Sequence, residues 1–192
     1  MPFILSGRLR ERKQNVALMK TLLLGGIKSG KSKLAESLAT ESKKTVTLIA
    51  TAVAKDIEMQ ARIEHHKHSR PPHWLVIEEP LSLADALIKP LENNDYIIID
   101  CLTLWVTNLL LDEDKTALDR ETSALLDILS ESAGTTTMIS NETSMGIIPM
   151  GELTRCFCDT TGLLHQKLAS QCDNVVLTFA GLPLALKGSL NV

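Results

Sequence analysis

The stretch Lys20-Thr21-Leu22-Leu23-Leu24-Gly25-Gly26-Ile27-Lys28-Ser29-Gly30-Lys31-Ser32 decides the fold. Its first five residues form a short apolar run of strand character. The next eight match G-x-x-x-x-G-K-[ST], and residues 31–41 then have helical character. Strand, glycine-rich turn and helix in that order make a phosphate-binding loop. The glycines permit a tight turn, backbone N–H groups and the helix N-terminus face the phosphates, and the helix dipole favours the anion. In such a loop Lys31 bridges the β- and γ-phosphates and Ser32 offers its hydroxyl to Mg²⁺. The competing reading is an ordinary glycine-rich turn between strand and helix.

Outward from this stretch, short apolar runs alternate with amphipathic segments. Strands are predicted at 20–24, 45–50, 74–77, 96–99, 135–140 and 174–180. Helices are predicted at 31–41, 56–66, 82–88, as one long helix within 102–132, and at 151–170. Runs such as Tyr96-Ile97-Ile98-Ile99 suit strands buried on both faces. The expected fold is α/β: a single P-loop NTPase-like domain over residues 19–192, its mostly parallel sheet carrying helices on both faces. In such a sheet a ligand lies beyond the carboxyl ends of the strands. Those ends read as the P-loop, Ala50-Thr51, Glu78-Glu79, Asp100, Asn141-Glu142 and Gly181.

Residues 1–18 differ in character. Arg8, Arg10, Arg12 and Lys13 against Glu11 give them +3, so the rest of a chain with net charge −3 carries −6. We read them as an extension preceding the domain, with Met19 as the working start; a basic organelle presequence is the alternative. Across the 192 residues the charge balance and the six aromatic residues disfavour a nucleic-acid binder. No run reaches the roughly 18 apolar residues of a membrane span. Cys101, Cys156, Cys158 and Cys172 form no CxxC pair. A reduced, soluble cytoplasmic protein is expected.

A phosphate loop needs an acid on a neighbouring strand for Mg²⁺ or its water shell. Asp100 is that candidate, with a helix N-cap as its alternative role. Four histidines, His65, His66, His68 and His73, crowd the segment around Lys67 and Arg70. Three readings stay open for them: a metal site, for which His65 and His68 supply at most two ligands on one helical face; a solvated basic helix end; or a neutral imidazole that attacks a nucleotide α-phosphate while Lys67 and Arg70 offset its charge.

Over residues 20–187 the chain resembles the bifunctional adenosylcobinamide kinase / adenosylcobinamide-phosphate guanylyltransferase family of the cobalamin pathway. Besides the P-loop, the resemblance rests on Asp56-Ile57-Glu58-Met59-Gln60-Ala61-Arg62-Ile63-Glu64-His65-His66-Lys67 and Arg70-Pro71-Pro72-His73-Trp74. It extends through Ile49-Ala50-Thr51, Asp100-Cys101-Leu102-Thr103-Leu104-Trp105-Val106-Thr107-Asn108-Leu109-Leu110, Asn141-Glu142 with Met145-Gly146-Ile147-Ile148-Pro149, and Ala180-Gly181-Leu182-Pro183. It implies two reactions at one nucleotide site. ATP or GTP phosphorylates adenosylcobinamide, and GTP then guanylylates a histidine whose GMP passes to the cobinamide phosphate, giving adenosylcobinamide-GDP. The resemblance makes His65 the GMP carrier and Lys31 its catalytic companion. Nucleotide contacts fall to Gly25, Gly26, Ile27, Lys28, Ser29, Gly30, Lys31, Ser32, Ile49, Ala50, Thr51, His66, Lys67, His68, Ser69, Glu78 and Asp100. Mg²⁺ is expected at Ser32 and Asp100 through nucleotide or water, and a homotrimer is implied.

The chain departs from the family pattern at Ser144, where a glycine is expected, at Cys158 for an arginine and at His165 for an asparagine. These bear on corrinoid specificity more than on nucleotide chemistry. Two other functions remain: a P-loop small-molecule kinase without guanylyl transfer, and a nucleotide-binding regulatory protein.

Overall fold

The computed structural model describes residues 19–54 and 56–189, without the side chains of Arg62, His65, His66, His68 and Ser69. The extension assigned to residues 1–18 therefore lies outside the described residues. Seven strands, β1 (Lys20–Gly25), β2 (Val46–Ala50), β3 (Leu75–Glu78), β4 (Tyr96–Asp100), β5 (Thr135–Ile139), β6 (Asn174–Phe179) and β7 (Leu182–Lys187), form one sheet. Its order is β3-β2-β4-β5-β1-β6-β7. Every pairing is parallel except the antiparallel β6–β7 edge.

The strands' continuous apolar runs serve two cores, because successive side chains point to opposite faces. Leu22, Ile49, Ile97 and Ile99 pack on one side against α3 (Leu83–Glu92), α4 (Leu102–Leu110), α5 (Ala117–Glu131) and α6 (Glu152–Gln171). Leu23, Leu48 and Ile98 pack on the other against Ala35 and Ala39 of α1 (Lys31–Ser42). Trp105 is fully buried and its indole N–H donates to the Leu81 carbonyl at 2.6 Å. Burial of each such large side chain contributes roughly 1.5–3 kcal/mol.

Two sequence expectations are corrected. The long helix within 102–132 is two helices. Asp112 Oδ1 accepts the Asp114 N–H at 2.8 Å and Asp114 Oδ1 accepts the Thr116 N–H at 2.9 Å, so local side-chain acceptors compete with helix continuation. The second correction is β7, a strand absent from the six predicted ones. Ala180 (φ 51°) and Gly181 (φ 82°) make the two-residue turn that folds β7 back on β6, both with the positive φ that a tight hairpin requires. β7 is an edge strand, where a proline is tolerated.

Candidate active site

The phosphate loop sits where the sequence places it, between β1 and α1. Lys31 is 7% exposed, and its ammonium donates to the carbonyls of Gly25 at 2.9 Å and Gly26 at 2.7 Å. Burial lowers its pKa from the usual lysine value, and the neighbouring Cys101 and Asp100 oppose that shift by favouring the cation. Asp100 is thus electrostatically coupled to Lys31, although its strand is separated from β1 by β5.

The loop is buttressed by the hairpin that sequence reasoning missed. Ser29 Oγ and Thr178 Oγ1 lie 2.8 Å apart, and the Gly181 N–H donates to the Ser29 carbonyl at 3.0 Å. Gly30 has φ 104°, and a Cβ there would stand 3.2 Å from the Gly181 Cα, so backbone packs on backbone. The Ser29 side chain is therefore engaged by β6. The exposed Ile27 and Lys28 form the outer lip of a cleft of about 360 Å³, with Glu142, Met145 and Phe179 among its lining.

At the ends of β2 and β4 the chain is stitched together. Thr51 is fully buried; its N–H donates to the Asp100 carbonyl at 3.2 Å, and its hydroxyl donates to the Cys101 carbonyl at 2.7 Å. Asn108 of α4 donates to the carbonyls of Thr51 at 2.8 Å and Pro80 at 3.2 Å, clamping the segments that follow β2 and β3. Ile49 is wholly buried in the core, so only its backbone faces the strand ends, while Ala50 closes β2 beside Asp100.

α2 (Ile57–Ser69) carries His65, His66, His68 and Ser69 on its backbone. Asp56 caps its start, accepting the Met59 N–H at 2.7 Å. None of the described side chains of α2 is buried. Its C-terminal end is held by two ion pairs: Lys67 to Glu78 at 2.7 Å and Arg70, just past the helix, to Asp100 at 3.8 Å. The hydrogen bond that the Lys67 ammonium donates to the Glu78 carboxylate raises the Lys67 pKa and favours its cation. Both predicted acids thus face cations of the histidine segment, and beyond Arg70 the buried Trp74 anchors the chain, its N–H donating to the Pro71 carbonyl at 3.1 Å. Ser32 lies in the first turn of α1. Ser32 and Asp100 offer hydroxyl and carboxylate oxygen, the hard donors that suit Mg²⁺. Among the described residues no group of three or more His, Cys, Asp or Glu is assembled for a metal.

β5 ends between the loop and Asp100. Ser140 is buried and bonds His165 Nε2 at 2.8 Å and Thr103 Oγ1 at 3.3 Å. Burial lowers the His165 pKa, with Glu142 opposing. The Glu142 carboxylate accepts the backbone N–H groups of Ser144 at 2.9 Å and Met145 at 3.1 Å, and the Ser144 hydroxyl. Burial would raise its pKa, but these hydrogen bonds outweigh that and lower it. Ser144, where the resemblance leads to the expectation of a glycine, thereby holds the loop after β5.

A parallel sheet whose first strand runs through a glycine-rich turn into α1, with a coupled acid on β4, defines a P-loop nucleotide-binding α/β protein. The profile of the family described as cobinamide kinase / cobinamide phosphate guanyltransferase matches residues 21–186, and the chain belongs to that family. The bifunctional adenosylcobalamin biosynthesis protein CobP of Pseudomonas aeruginosa is 51% identical over 170 residues, spanning 88% of this chain and 98% of the relative. The bifunctional adenosylcobalamin biosynthesis protein CobU of Escherichia coli is 35% identical over 182 residues, spanning 88% and 100%. Among solved structures, the flagellar accessory protein FlaH from Methanocaldococcus jannaschii superposes with a TM-score of 0.51 at 14% identity, covering 90% of this chain and 80% of its own. PH0250 from Pyrococcus horikoshii OT3 gives 0.52 at 8% identity, covering 91% and 89%. These two share the fold alone.

Proposed function

We propose that this chain phosphorylates adenosylcobinamide with ATP or GTP and then transfers GMP from GTP, through His65, to give adenosylcobinamide-GDP. The observation that carries the reading is the meeting of two devices at the carboxyl ends of the central strands. Lys31 of the phosphate loop is coupled to Asp100, and Asp100 is paired with Arg70 at the end of the helix that bears His65.

In the first reaction the acceptor hydroxyl forms a bond to the γ-phosphorus. The bond from that phosphorus to the β,γ-bridging oxygen breaks, the nucleoside diphosphate leaves with the electron pair, and the hydroxyl proton passes to solvent. The loop N–H groups and Lys31 hold the β- and γ-phosphates. In the second, a neutral His65 imidazole nitrogen bonds the α-phosphorus and pyrophosphate departs. A phosphate oxygen of the cobinamide phosphate then displaces the imidazole. Arg70 and Lys67 supply positive charge near that transfer. Ser32 and Asp100 would hold Mg²⁺, which when bound neutralises charge on the phosphate oxygens. Backbone or side-chain contacts from Ile49, Ala50, Thr51, His66, His68, Ser69 and Glu78 complete the nucleotide site in this reading.

The reading extends to a cytoplasmic homotrimer. Among the described residues no helix is long and apolar enough to cross a membrane. Phe179, Leu182, Leu184 and Leu186 expose an apolar hairpin edge suited to a subunit contact.

Incubation with α-labelled GTP tests the chemistry: acid-labile, alkali-stable label is expected on the wild type and absent from His65→Ala. Phosphorylation of adenosylcobinamide without covalent label would leave only a kinase. GTP binding without turnover of any cobinamide would leave a regulatory protein.

A further inference from the structure

We infer that Asn141, at the tip of β5, is the side chain that binds the transferring γ-phosphoryl group. The inference rests on the function proposed above and names a residue for its kinase half.

Strand order supplies the first argument. β5 lies between β1 and β4, with Ile139 level with both Leu23 and Asp100. A chain leaving the end of β5 must therefore pass between the phosphate loop and the β4 acid. The hydrogen bonds locate it further. The Gly25 carbonyl accepts both the Lys31 ammonium at 2.9 Å and the Glu142 N–H at 3.0 Å, so the residue after Asn141 is one carbonyl away from the lysine that holds the β- and γ-phosphates. On the other side, the Asn141 N–H donates to Thr103 Oγ1 at 2.7 Å, in the first turn of the helix that follows Asp100.

The second argument is which side chains there are already engaged. Ser140 is held by His165 and Thr103, and Glu142 is consumed by Ser144 and Met145. The half-buried Asn141 amide has no hydrogen-bond partner among the described residues, although its backbone is fixed on both sides. A preorganised donor needs such a rigid mount and an open amide. Asn141 thus meets the γ-phosphate between Lys31 and Asp100. It does not serve the α-phosphate, which the function proposed above assigns to His65.

The test separates the two half-reactions. Asn141→Ala lowers kcat for phosphorylation of adenosylcobinamide by about 10²-fold. Asn141→Asp, of the same shape but negatively charged, lowers it further. Both weaken binding of a fluorescent nucleoside triphosphate while leaving the diphosphate unchanged. At saturating α-labelled GTP, covalent GMP incorporation stays within about threefold of wild type, and circular dichroism and the unfolding midpoint are unaltered. Asn141→Ser is the second variant should Asn141→Asp fold poorly. Unchanged phosphorylation, or parallel loss of phosphorylation and GMP incorporation, overturns the assignment. A wild type that carries out neither reaction instead removes the functional reading.

Discussion

Lys31 rests on two carbonyls of its own loop, at 2.9 and 2.7 Å, and must turn from them to triphosphate oxygens when a nucleotide arrives. Lys31→Met keeps most of the buried volume and removes the charge. We expect a fall in phosphoryl-transfer kcat on the order of 10²–10³-fold with intact thermal unfolding, measured in a coupled assay. Gly30 tests the loop's backbone. With φ 104° and Gly181 so close, Gly30→Ala should cost about 1–3 kcal/mol in urea unfolding and push the hairpin away. An unaltered midpoint would refute the strain. Gly30 was legible in the motif and Gly181 as a strand end, but their contact was not, since they lie 151 positions apart in the sequence.

Among elements, α2 buries none of its described side chains, and among the described residues ion pairs to Glu78 and Asp100 hold its end. The exposed Lys67–Glu78 pair contributes little to global stability, whereas the Arg70–Asp100 pair is largely buried. Lys67→Ala should therefore leave the unfolding midpoint near wild type. It should nevertheless accelerate deuterium uptake across residues 57–69 and slow GMP incorporation. Equal uptake in both proteins would show that the pair does not hold the helix. The sequence predicted a helix over 56–66, whereas the acids that tether α2 come from β3 and β4. The break between α4 and α5 and the strand β7 were illegible for a related reason. The break follows from aspartates that satisfy backbone N–H groups locally, and β7 exists only through its pairing with β6.

For the whole molecule, buried titratable groups set a pH window. Burial holds the His165 pKa below its ordinary 6.5, so the unfolded chain takes up a proton there that the folded chain refuses. Stability is therefore lost as pH falls below about 6.5. Loss of hydration pushes the Cys101 thiol up to about 11 and the Cys172 thiol up to about 12, against an ordinary 9.0. Unfolded thiols ionise first, so stability is also lost as pH rises above about 9. Urea midpoints recorded from about pH 5 to 10 should form a plateau with both limbs, and Cys172→Ala should flatten the alkaline one. A flat profile would contradict both assignments. A protein beginning at Met19 should keep both activities and the oligomeric mass measured by light scattering.

The sequence alone determined the phosphate loop, six of the seven strands, the acid at the end of Tyr96-Ile97-Ile98-Ile99 and the family to which the chain belongs; five of those strands are buried as expected, whereas Leu75 and Val76 leave β3 exposed. These are local signals, carried by side-chain period, glycine placement and contiguous motifs. Tertiary structure alone decided that β5 runs between β1 and β4, that the β6–β7 hairpin braces the loop, and that Arg70 meets Asp100. Strand order and register arise from packing both apolar faces of the sheet at once, a collective condition that no single segment encodes. That order brings the chain leaving β5 to the same Gly25 carbonyl that the Lys31 ammonium meets.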